Sequence, residues 1–82
     1  MPPPPEAPSA ERRPAWRAAA LAYRQARREG VSHEAAMYAA EASVREHWPE
    51  LSANQASDEA VAAIAYARAT YPTWFYWEVV GR

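Results

Sequence analysis

The sequence predicts an all-α fold, a small three-helix bundle preceded by a disordered proline-rich tail and followed by an aromatic segment read as a short fourth helix or an extended clasp. Three observations carry that expectation. Apolar side chains recur at helical spacing over residues of about 14–29, 33–48 and 53–70. Each stretch is bracketed by start and stop chemistry, and the short linkers between them favour antiparallel neighbours. The only strand-like run, residues 74–80, has no second run to pair with. Eighty-two residues make one domain at most, with a thin stability margin.

The opening segment, residues 1–12, holds Pro2, Pro3, Pro4, Pro5 and Pro8. Locked φ and missing N–H groups exclude helix and sheet there, so an extended, disordered tail is expected. Helix 1 should start with Pro14 at its first position, where a missing donor costs nothing, and end at Gly30, whose freedom at positive φ suits a left-handed stop. Its buried stripe is read as Ala15, Trp16, Ala19, Ala22, Tyr23 and Ala26. Arg13, Arg17, Arg24, Arg27 and Arg28 project to the opposite side.

Helix 2 should be capped by Ser32, carry Glu34 in its first turn and stop before Pro49. Met37, Ala40, Val44 and Trp48 form its apolar stripe. In helix 3, Ser52 and Gln55 have the spacing of a capping box, and the stripe is Ala56, Ala60, Ala63, Ile64, Ala67 and Tyr71, ended by Pro72. Alanines let helices approach closely but bury little area each, at about 25 cal/mol per Å². Trp16, Tyr23, Met37, Trp48, Ile64 and Tyr71 are therefore expected to supply the bulk of the core.

Residues 72–82 make up the aromatic segment, in which Trp74, Phe75, Tyr76 and Trp77 are consecutive. One use for these rings is to finish a core the alanines cannot fill, and the other is to anchor a partner. In an extended chain Trp74 and Tyr76 share one side while Phe75 and Trp77 share the other, more aromatic surface than one bundle face can cover. As a short helix capped by Thr73, Trp74 and Trp77 would share a face and Phe75 would turn aside.

Composition narrows the function. The chain has no cysteine, so no disulfide framework or thiolate site exists and a cytoplasmic setting is the default. No apolar run reaches the roughly 20 residues of a spanning helix, and the N-terminus shows neither a charged n-region nor an apolar h-region, so neither a membrane segment nor a secretion signal is expected. Every basic side chain is arginine, and with abundant alanine and proline the composition suits a GC-rich, bacterial genome.

Net charge is −1, yet residues 1–30 carry six arginines against three glutamates while residues 31–82 carry three arginines against seven acids. The chain is thus divided into a basic and an acidic part, which can meet within one bundle or between copies.

Catalysis finds little support, and the chain is not expected to be an enzyme. His33 and His47 sit at opposite ends of helix 2, about 20 Å apart at 1.5 Å per residue, too far to share a metal. His47 is expected to serve the helix C-terminus instead. With only Gly30 and Gly81, no phosphate-cradling glycine loop can be built. The serines lack a nucleophile-elbow context, and no cofactor, metal or small-molecule substrate is indicated.

Helices 2 and 3 superficially match helix-turn-helix length. Asp58 and Glu59, however, stand where a recognition helix would meet phosphates.

The functional expectation is a protein–protein module: a small accessory, assembly or regulatory subunit docking on a larger protein or on another copy of itself. Trp74, Tyr76 and Trp77 are the expected anchors, and Arg13, Arg17, Arg24 and Arg28 the second, electrostatic surface. The alternative is a small nucleic-acid-binding regulator that uses the helix 1 arginines.

Overall fold

The computed structural model describes residues 7–75, so the start of the proline-rich segment and the expectations attached to Tyr76 and Trp77 lie outside the described residues. Three helices pack on one another: α1 (Arg13–Arg28), α2 (His33–His47) and α3 (Ala53–Thr70). A further helical turn spans residues 72–75. The all-α, three-helix expectation holds. The order is up, down, up, so that α1 and α3 run in the same direction: Trp16 reaches Glu59 and Tyr23 reaches Phe75.

Local chemistry accounts for each boundary. Residues 10–12 form a turn ahead of α1, within the stretch expected to be tail. The N-cap, Arg12, makes no side-chain cap; instead the Ser9 carbonyl accepts from the backbone N–H groups of Arg12 and Arg13 at 3.0 Å each, satisfying donors the helix start would orphan. The far end of α1 is a Schellman motif. The Gly30 N–H donates to the Arg27 carbonyl at 3.0 Å and the Val31 N–H to the Ala26 carbonyl at 3.2 Å, with Gly30 at φ +89°.

In α2 the Ser32 hydroxyl accepts from the Ala35 N–H at 3.2 Å. At the other end the His47 Nδ1 lies 3.1 Å from the Ser43 carbonyl, which can only accept, so this ring nitrogen carries the proton and caps the last turn. In α3 the capping box is complete: the Gln55 N–H donates to the Ser52 hydroxyl at 3.1 Å, and the Ser52 N–H donates to the Gln55 side-chain oxygen at 2.9 Å.

The core is built mostly from alanine. Ala19, Ala36, Ala40, Ala56 and Ala60 are fully buried, and among the described buried residues only Tyr23, Val44, Ile64 and Phe75 are larger. Contacts this small place neighbouring axes near the low end of the usual range, about 8 Å. Trp16, Met37, Trp48 and Leu51 pack against this core from partly buried positions.

Two stripe positions need correction. On α1, Ala20 is buried while Ala22 is only half-buried, because α1 is flanked by both other helices and its buried arc turns toward α3. Tyr71, expected in the core, is 55% exposed. It is the C-cap of α3 at φ −129°, ψ 57°, so the helical projection that aligned it with Ala67 no longer applies there.

Two stability measurements follow from this packing. Gly30→Ala forces a Cβ into left-handed geometry with nothing nearby to offset the strain, and urea denaturation should register a loss of about 1–2 kcal/mol. Ala40→Leu adds volume where helices nearly touch and should cost about 1–3 kcal/mol in the same assay.

Candidate interaction surface

Pro72 ends α3 and then opens the following turn, where a residue without an N–H is well tolerated. The turn closes with the Phe75 N–H donating to the Tyr71 carbonyl at 2.9 Å. It therefore begins at Pro72, and Thr73 lies inside it rather than capping it. Helical geometry also replaces the extended alternation over the described part of the aromatic segment. Adjacent residues still point apart, by about 100°.

The two described rings differ in burial. Phe75 is 3% exposed and stacks on Tyr23, centroids 5.5 Å apart and planes 12° from parallel. The Tyr23 hydroxyl shares a 2.8 Å hydrogen bond with His33 Nδ1, so one side chain of α1 connects the start of α2 to the turn beyond α3. Trp74 sits at the rim of the stack, 37% exposed, its ring tilted 57° to that of Phe75 with centroids 6.4 Å apart. Its indole carries the Arg24 guanidinium 4.8 Å from the ring centroid, and its carbonyl accepts from Arg24 Nε at 3.1 Å. Two separately predicted surfaces, the aromatic end and the arginine face, are thus joined at Arg24 and Trp74.

An open groove of about 510 Å³ lies beside this pair, lined by Arg24, Thr70, Tyr71, Pro72, Thr73 and Trp74. Tyr71 is the lining residue that sequence reasoning placed in the core. Its ring meets Tyr66 edge-on at 6.3 Å, and Tyr66 in turn meets Trp16 at 5.9 Å, so a row of aromatics borders the seam between α1 and α3. The proline immediately after Tyr71 was the available signal, because a helix ends at or before such a residue and the last projected position loses its face.

Among the predicted arginines, Arg13, Arg17 and Arg28 are exposed and Arg24 is half-buried against Trp74. Arg27 is used internally, donating to the Val31 carbonyl at 2.9 Å. At the opposite end of α1 a second groove, about 400 Å³, has Trp48 and Leu51 among its walls and Glu11, Glu50, Asp58 and Glu59 around them. Glu59 is already engaged. It accepts from the Trp16 indole N–H at 2.8 Å and faces Arg12 Nε at 3.6 Å, and the indole bond is the stronger restraint because Arg12 is largely solvent-exposed.

No helix among the described residues is long and apolar enough to cross a membrane. No protein-family model, curated protein or solved structure matches this chain.

The two neighbouring rings should respond differently to truncation. Phe75→Ala should destabilise the fold by about 3–5 kcal/mol, enough to leave so small a domain largely unfolded. Trp74→Ala should cost much less in thermal melts followed by circular dichroism, because this ring is outside the core. Equal losses would mean that Trp74 is structural.

Proposed function

We propose that this protein is a small, non-catalytic accessory or regulatory subunit, cytoplasmic in setting, that docks on a larger protein. Trp74 is the central anchor, and Arg13, Arg17, Arg24 and Arg28 form the charged surface beside it. Tyr76 and Trp77 complete the anchor set on sequence grounds. The observation that carries the reading is the division of the turn at residues 72–75: Phe75 is spent on the core, while Trp74 and Tyr71 stand exposed around an open groove. Tryptophan, tyrosine and arginine are the side chains most enriched among binding hot spots. The contact between Arg24 and Trp74 orients the indole before any partner arrives, which lowers the ordering cost of binding.

Nucleic-acid binding through the α1 arginines is the weaker reading. Arg27 and Arg24 already hold intramolecular acceptors, so the face offers fewer uncommitted phosphate contacts than the arginine count suggests.

Affinity capture with the intact chain and with Trp74→Ala tests the proposal. A hot-spot role predicts a loss of about 2 kcal/mol, roughly thirtyfold in affinity, with helicity unchanged. Val61→Ala, at a position 55% exposed on α3, should leave capture intact. Undiminished capture by the Trp74 variant would refute the anchor.

A further inference from the structure

The sequence left open whether its basic and acidic parts neutralise each other within the bundle. Arg12 and Glu59 do meet as an ion pair at 3.6 Å. Arg13 and Arg17 are exposed, as are Glu11, Glu50 and Asp58, so charges of opposite sign stand at the surface in two groups.

The first surface is on α1. Arg13 and Arg17 are exposed, and Leu21, 47% exposed, lies one turn beyond Arg17 on the same side. An apolar side chain thus projects from a basic surround. The second surface is its inverse: the groove in which half-buried Trp48 and Leu51 are bordered by the exposed carboxylates of Glu11, Glu50 and Asp58. Leu21 is nine residues along α1 from Arg12, which lines that groove, a separation of about 14 Å along the helix axis. Leu21 therefore lies clear of the groove, whose rim the basic face approaches at Arg13, next to Arg12.

We infer that the chain associates with copies of itself head to tail, the face bearing Arg13, Arg17 and Leu21 of one copy seating on the acidic groove over Trp48 and Leu51 of the next. The occupant is a second copy because this chain carries both the apolar projection with a basic surround and the apolar groove with an acidic border. Opposite charges steer the approach and set the register, while burial of Leu21 against Trp48 and Leu51 supplies the apolar contribution. Such a contact is heterologous, so it closes into a ring or continues as a filament rather than stopping at a symmetric dimer. The inference rests on the reading of the α1 arginine face as a contact surface and does not involve Trp74.

Light scattering across a concentration series, at low and at high salt, tests it. The wild-type chain should form species larger than a monomer at low salt and dissociate as salt rises. The Arg13→Glu, Arg17→Glu variant and the Glu50→Arg, Asp58→Arg variant should each weaken association at least about tenfold. Mixed in equal amounts they should associate again, since each supplies a face complementary to the other's altered one, and recovery also shows that both are folded.

Arg13→Gln with Arg17→Gln provides a milder control with good helix formers, for which a reduced salt dependence is expected. A wild-type chain that stays monomeric at low salt overturns the inference. So do reversals without effect, or circular dichroism showing both variants folded while the mixture fails to recover. Loss of self-association with Trp74-dependent partner capture intact would remove this inference alone. Capture that ignores Trp74 while self-association persists would remove only the anchor.

Discussion

The stack of Tyr23 on Phe75 is the contact on which the rest of the molecule depends. Helices lined by alanine approach closely but remove little apolar area from water, and among the described residues Val44 and Ile64 are the only larger aliphatic side chains that are buried. A fully buried phenylalanine contributes about 1.5–3 kcal/mol, a large share of the stability available to so short a chain. Tyr23 holds this ring from α1 while its hydroxyl reaches His33 at the start of α2. The ends of two consecutive helices and the distant turn beyond α3 therefore converge on one aromatic side chain.

The orientation of the exposed groove follows from that contact. Arg24 is the next residue after Tyr23, and Trp74 is the residue before Phe75. With Tyr23 and Phe75 stacked inside, the flanking pair meets outside as a cation over an indole. Burial of one ring and presentation of the other are thus two consequences of the same register. The groove beside Trp74 is as well placed as the core that anchors it.

Electrostatics acts differently at the two ends of α1. Near its start Glu59 joins α3 to α1 through the Trp16 indole and Arg12, a local restraint that leaves the neighbouring carboxylates on the surface. Near its end the cations are absorbed locally: Arg27 by the Val31 carbonyl and Arg24 by Trp74. The exposed part of the basic face consists of Arg13 and Arg17, beside Leu21, with Arg28 at the far end of the helix.

The helix ends were readable from short sequence patterns because the bonds that make them span only a few residues. Ser52 with Gln55, Ser32 before His33, and Gly30 after Glu29 each carry their own donors, acceptors or permitted φ, and the structure uses all of them. The three-helix class followed from the same local signals and the spacing of small apolar residues. Which large side chains lie inside did not. Tyr71 fits the stripe of α3 yet stands in solvent, since the backbone leaves helical geometry at that residue. Trp74 and Phe75, neighbours of similar hydrophobicity whose rings lie 6.4 Å apart, differ in burial because Tyr23, some fifty residues earlier in the chain, offers a stacking surface to only one of them. Local hydrogen bonding sets where a helix starts and stops, but burial depends on what surface lies opposite, and that surface exists only once distant segments have packed together.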